Sequence, residues 1–241
     1  MKYSFATDRG KKRSINQDCC TVFCPDEHSC FAIVCDGMGG AAAGEIASSM
    51  VVETVEERVK EGWRTGISDE SVRNLLLTSI TAANINVFDK SQAEIRYQGM
   101  GTTVVACVLM KDHAIFAHAG DSRAYLFSDR LKLITKDHSF VQELVDLGRI
   151  TREQAKNHPR KNYITRALGV EELVEIDFNT VYLSQSDKIL LCTDGLSNFV
   201  SEERIAELLS EQAEDPASVL VAEANRNGGG DNITAVVLSQ Y

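Results

Sequence analysis

The stretch from Thr102 to Ile134 constrains the fold of this chain most. It holds apolar runs of strand length at Thr102 to Met110, Ala114 to Ala119, Ala124 to Phe127 and Leu131 to Ile134. Only Lys-Asp-His, Gly-Asp-Ser and Ser-Asp-Arg segments part them. Apolar runs bounded by turn chemistry predict strands. A parallel pair needs a crossover of a dozen or more residues, so connections this short predict antiparallel neighbours.

Further strands are expected at Cys19 to Phe23, Phe31 to Cys35, near Leu173 to Leu183, at Lys188 to Thr193 and at Ile233 to Ser239. The segment from about Gly44 to Lys60 repeats Ile46, Met50, Val51, Val55 and Val59 near a 3.6-residue period. Asp69 then has the chemistry of an N-cap, followed by the stripe Val72, Leu75, Leu76, Ile80, Ala83 and Val87. Both predict helices with one face on a sheet. A polar helical region is expected from Ser139 to Lys156, and helices at Ser201 to Leu209 and Pro216 to Asn225. Strand runs and helix pairs are grouped rather than alternating, which predicts an α+β fold.

At 241 residues the chain suits one compact domain, expected to span 1–241. Its formal charge of −10 opposes a nucleic-acid partner, because a phosphate-tracking surface needs clustered Lys and Arg. Nothing approaches the roughly 20 apolar residues that span a bilayer. The N-terminus opens into Tyr3-Ser4-Phe5 with no secretory core, so a cytoplasmic protein with no membrane partner is expected. Seven cysteines lie mostly within apolar runs, which fits reduced thiols better than a disulfide framework. Cys19, Cys20, Cys24 and Cys30 lack the paired Cys-x-x-Cys spacing of a zinc site.

Three acidic positions carry the chemistry. Asp36-Gly37 follows one apolar run, Asp194-Gly195 follows another, and Gly230-Asp231 precedes the last. A carboxylate at a strand end is rigidly held, and an adjacent glycine permits the close approach that a hard cation with oxygen ligands demands. Any one of them alone reads as an ordinary turn. Spacing does not show that they converge.

The motifs resemble one family, the type 2C (PPM) metal-dependent Ser/Thr protein phosphatases, and especially their compact bacterial members. Arg13-Ser14-Ile15-Asn16-Gln17-Asp18 is similar to the family's Arg-x-x-Asn-Gln-Asp, and Asp36-Gly37-Met38-Gly39-Gly40 to its Asp-Gly-Met-Gly-Gly. Gly99 to Thr103, Gly120 to Arg123, Asp137 to Ser139, Thr165 to Gly169, Thr193 to Leu196 and Gly230 to Thr234 follow in family order.

The resemblance implies a four-layer αββα sandwich of two mainly antiparallel sheets flanked by helices. It also implies hydrolysis of phosphoserine and phosphothreonine by a hydroxide bridging two Mg²⁺ or Mn²⁺ ions. Asp36 would touch both ions, Asp194 and Asp231 would complete the first, and the Gly37 carbonyl would serve the second, with Asp18 near it. Asp121 with Asp194 would hold a weaker third. Arg13 would clamp the phosphate, since a guanidinium makes paired charge-assisted bonds to phosphate oxygens. The implied partners are phosphorylated proteins and an opposing Ser/Thr protein kinase; a monomer is expected.

Met38 stands where better-known eukaryotic members carry a histidine favoured as general acid, and Met donates no proton. His138 is the nearest motif histidine. The segment 140–162, with Arg149, Arg152, Arg160 and Lys161, is similar to the family's flap beside the site. Two other readings are weaker. Gly37 to Ala42 satisfies Gly-x-Gly-x-x-Ala, but a second helix follows where a dinucleotide-binding βαβ unit needs a strand. A phosphatase-like module without turnover should lack a metal carboxylate, and Asp36, Asp194 and Asp231 are all present.

Overall fold

The computed structural model describes residues 1–40 and 43–240. The first strands are β1 (Lys2–Asp8), β2 (Asp18–Asp26) and β3 (Ser29–Met38). Helices α1 (Ala43–Gly62) and α2 (Asp69–Ala93) follow. Then come β4 (Gly101–Thr102), β5 (Val104–Leu109), β6 (His113–Ala119), β7 (Arg123–Phe127) and β8 (Leu131–Leu133). Short helices α3 (Phe140–Asp146) and α4 (Arg152–Lys156) precede β9 (Asp177–Tyr182) and β10 (Lys188–Cys192). The chain closes with α5 (Asp194–Ser197), α6 (Glu202–Ser210), α7 (Pro216–Arg226) and β11 (Ile233–Ser239).

Two sheets form, ordered β1-β11-β10-β7-β8 and β2-β3-β5-β6-β9, with β4 paired to β3. The pairings are antiparallel, as the short connections demand. Side chains alternate across a strand, and β3 shows what this does. Cys30, Ala32 and Val34 face the second sheet, where they meet Ile189, Leu191, Val236 and Leu238. Phe31, Ile33 and Cys35 face outward and pack on α1 and α2 through Val51, Val55, Leu76 and Ile80. In the other sheet Leu190, Cys192, Ala235 and Val237 turn toward α6 and α7. The layers are therefore helix, sheet, sheet, helix. Strands buried on both faces read as continuous apolar runs, which is how they appear in the sequence.

The N-cap of α2 is Ser68, whose side chain accepts from the Ser71 N–H, so Asp69 is the first helical residue and not the cap. The helical region 139–156 consists of two helices. Ser139 caps α3, and Thr151 with Gln154 forms a capping box on α4. Gly148, at φ 65°, turns the chain between them. β1 was not foreseen, because its exposed and half-buried residues give no apolar run. The Ala41-Ala42 end of Gly-x-Gly-x-x-Ala lies outside the described residues.

Candidate active site

One cleft opens where the two sheets meet at their ends, lined by Arg13, Asp36, Gly37, Met38, Asp121, Asn162, Ile164, Asp194 and Asp231, among others. Each sheet supplies carboxylates. Asp36 lies inside β3 and not in a turn after it, since that strand runs on to pair Gly37 with Thr102. Asp194 opens α5 just past β10, and Asp231 lies two residues before β11. Cys192 pairs with Ala235, so both are delivered to the same end of the sheet. Asp121 sits in the link from β6 to β7, where the chain crosses between the sheets.

The glycines beside these acids serve close approach. A Cβ at Gly37 would meet the Gly44 carbonyl oxygen at 2.1 Å, and one at Gly195 the Asn232 carbonyl oxygen at 1.8 Å. The Asp36 backbone is held by Thr103, whose hydroxyl accepts from the Asp36 N–H at 3.0 Å while its own N–H donates to the Asp36 carbonyl at 2.9 Å. The Thr102 hydroxyl donates to the same carbonyl.

Asp18 stands opposite Asp36 in the β2–β3 register and lies buried beneath the cleft rather than lining it. The hydroxyls of Thr193 and Thr234 donate to its Oδ2 at 2.9 and 2.7 Å. Its Oδ1 is buried without a hydrogen-bond partner. Arg13, half exposed, donates to Asp231 Oδ2 at 2.8 Å. It is the cation among the described residues that line the cleft.

The electrostatics follow from this crowding. Burial, then repulsion from Asp18, Asp194, Asp121 and Asp231, pushes Asp36 well above the usual carboxylate range. Burial and neighbouring acids push Asp18 and Asp121 up to about 7 and Asp194 up to about 6. Arg13 is held more firmly protonated by its bond to Asp231. Carboxylates gathered against their own repulsion, one with a bare buried oxygen, fit divalent cations of the hard, oxygen-preferring kind.

A second cluster has metal-ligating residues within reach of one another: His118, His138 and Asp177. Its hydrogen bonds argue against a metal. The Gly120 N–H donates to His138 Nδ1 at 3.0 Å, and Nε2 sits between Arg166 Nη1 at 3.0 Å and Asp177 Oδ2 at 3.3 Å, so both ring nitrogens are already engaged. A ligating nitrogen needs a lone pair free. Arg166 already supplies the cation, 2.6 Å from Asp177 Oδ1 and 3.0 Å from His138 Nε2. His138 also stacks on His118, with centroids 4.9 Å apart. No histidine lines the cleft among the described residues.

Asn162, at the end of the flap, and Ile164, just beyond it, reach the cleft wall, whereas Arg149, Arg152, Arg160 and Lys161 do not line it. Asn232, Asn162, Ile164 and Thr103 were not singled out as site residues from the sequence. Asn232 and Thr103 lie inside recognised blocks, which was the available signal; nothing in their type marked Asn162 or Ile164.

The family profile described as Protein phosphatase 2C matches residues 7–223. The chain belongs to the protein phosphatase 2C family. It is 40% identical over 243 residues to the serine/threonine phosphatase stp of Listeria monocytogenes serotype 4b, covering all of this chain and 96% of that one. It is 36% identical over 242 residues to protein phosphatase PhpP of Streptococcus pneumoniae, covering 99% and 97%. Among solved structures, it superposes on the serine/threonine phosphatase Stp1 of Staphylococcus aureus with TM-score 0.91 and 34% identity, covering 99% of this chain and 94% of that one. The Mycobacterium tuberculosis serine/threonine phosphatase PstP/Ppp gives TM-score 0.85 and 38% identity, covering 98% and 97%. This family member is thus a serine/threonine protein phosphatase of the bacterial type, acting on phosphoproteins and using divalent metal ions.

Proposed function

We propose that the cleft is the phosphatase centre and that its residues divide the work as follows. Asp36, Asp194 and Asp231 with the Gly37 carbonyl would hold two tightly bound cations, Mg²⁺ or Mn²⁺, with Asp18 supporting them from below. Asp121 with Asp194 would hold a third, weaker ion. When bound, such ions neutralise phosphate charge and make water nucleophilic near neutral pH.

The chain's own groups do the rest. Arg13, on the rim, donates paired hydrogen bonds to two phosphate oxygens and so fixes the phosphorus for attack in line with the serine or threonine oxygen. Met38 borders the cleft without a proton to give, and no imidazole lines it among the described residues, so the departing oxygen takes its proton from another donor than histidine. Segment 140–162 forms a flap whose Asn162 borders the phosphate side and whose exposed basic residues meet the protein substrate.

The observation that carries this reading is the convergence of Asp36, Asp121, Asp194 and Asp231, from both sheets, on one cleft with Arg13 at its edge. We place the enzyme opposite a Ser/Thr protein kinase, as a single-domain cytoplasmic monomer. None of its helices in the described residues is long and apolar enough to cross a membrane. Phosphate release from a phosphothreonine peptide should cease with chelator and return with Mn²⁺ or Mg²⁺. Full turnover by metal-stripped protein would overturn the metal assignments.

A further inference from the structure

Asn232 is a buried polar residue that lines the cleft beside a proposed ligand, and its side-chain amide is engaged by backbone groups. Its Nδ2 donates to the carbonyls of Arg9 and Ile15, both at 2.9 Å, and its Oδ1 accepts from the Gln17 N–H at 2.8 Å. These three contacts bracket Arg13. The Asn232 side chain thereby uses its acceptor and both donors on the backbone of one loop. The same loop is tied nearby by the Lys11 and Lys12 N–H groups, which donate to the Gly229 carbonyl at 2.8 and 3.2 Å. Asn232 also reaches the acid, since its own N–H donates to Asp231 Oδ1 at 2.8 Å.

We propose that Asn232 is a positioning residue for phosphate recognition: it sets the loop of residues 9–17 so that the Arg13 guanidinium stands over the cleft. The inference rests on the reading of Arg13 as the phosphate clamp. The physical case is one of precision. Arg13 is long and half exposed, so its aim depends on where its backbone is fixed, and a long flexible side chain loses affinity when its anchor wanders. An amide can serve two carbonyls and one N–H at once. A carboxylate, hydroxyl or alkyl group cannot, which is why the residue beside Asp231 is Asn.

A double-mutant cycle tests this, read as KM and kcat on a phosphothreonine peptide and as the inorganic phosphate concentration giving half-inhibition. Arg13→Ala should raise KM and the phosphate requirement about tenfold, as loss of a charged hydrogen-bond pair does. Asn232→Ala should give most of that change, affecting kcat less. In the Arg13→Ala background it should add less than about twofold, because residues acting through one group are not additive. Tight Mn²⁺ binding, followed by calorimetry, should match the wild type.

A purely structural Asn232 would lower Tm and leave phosphate inhibition unmoved. That result, or a full-sized effect persisting without Arg13, or loss of a tight metal, would overturn the proposal. If Arg13→Ala itself leaves phosphate inhibition unchanged, the clamp reading fails and the inference falls with it. A silent Asn232→Ala beside a damaged Arg13→Ala sinks the inference alone. Should Asn232→Ala not fold, Asn232→Asp enters the same cycle: it keeps the acceptor for Gln17 and turns an oxygen toward the two carbonyls.

Discussion

The carboxylate cleft and the His118–His138–Asp177–Arg166 cluster gather titratable groups beside the same end of one strand, β6, where His118 lies in the last rung of the ladder and Asp121 just beyond it, yet in opposite states of balance. In the cluster, Arg166 answers Asp177, and the two nitrogens of His138 are engaged by Gly120, Arg166 and Asp177. In the cleft, four carboxylates among the described residues face one guanidinium. A site whose charges are compensated internally supports structure. A site left out of balance by the fold is built for something that comes from outside.

Substitution should separate the two sharply. Asp36→Asn should cut phosphopeptide turnover far more than tenfold, that is, by more than ~1.4 kcal/mol of transition-state stabilisation. In chelator it should raise Tm, because a buried, mutually repelled carboxylate is gone. A variant with more than about a tenth of the wild-type rate would break the shared-ligand assignment.

Asp121→Ala should come next. It should fold and keep the two tight metals by calorimetry while losing several-fold in turnover at high Mn²⁺. Unchanged turnover across the metal range would return Asp121 to the role of a turn residue, and loss of a tight metal would move it into the main pair.

The pH responses of the two regions should have opposite signs. Asp18 and Asp121 at about 7, and Asp194 at about 6, lie above the unfolded value of about 4. The folded state binds the extra protons, so their contribution to stability is full below about pH 4 and is lost as pH rises through about 6 to 7. Chelated protein should therefore melt lower at pH 8 than at pH 5.5 on this account, and Mn²⁺ should reverse the fall while releasing protons. Burial holds His118 and His138 below the ordinary imidazole range. Their contribution is present above about 6.5 and is lost as pH falls through their folded values. Melts of His138→Ala against wild type should converge at acid pH.

The smallest effect belongs to the rim of the compensated cluster. Glu175 is 78% exposed and meets Arg166 at 3.1 Å. Glu175→Ala should shift stability by less than about 0.5 kcal/mol and leave turnover alone. A larger loss in a denaturant titration would show that the balance of the cluster depends on its outermost charge.

Much of this was legible beforehand where one local rule governs. Ile233 to Ser239 was read to the residue as a strand, because both of its faces are buried and the apolar run is unbroken. The polar segment 139–156 is helical as its composition suggests, but its division into two helices at Gly148 is not visible in so weak a pattern. Asp36-Gly37 looked like a turn because that is what the dipeptide does in isolation. Pairing with β4 keeps it in a strand.

The residue order by itself determined the alternation that sorts Phe31, Ile33 and Cys35 from Cys30, Ala32 and Val34, the antiparallel connections, and the identity of the acids. Those follow from side-chain period and turn chemistry, which act within a few residues. Tertiary structure alone decided that Asp18 is a buried support and not a wall of the cleft, that Arg13 meets Asp231 across 218 positions of chain, and that Asn232 holds the loop between Arg9 and Gln17. Burial, repulsion and hydrogen-bond satisfaction are properties of neighbours in space, and only the packing of one sheet on the other chooses those neighbours.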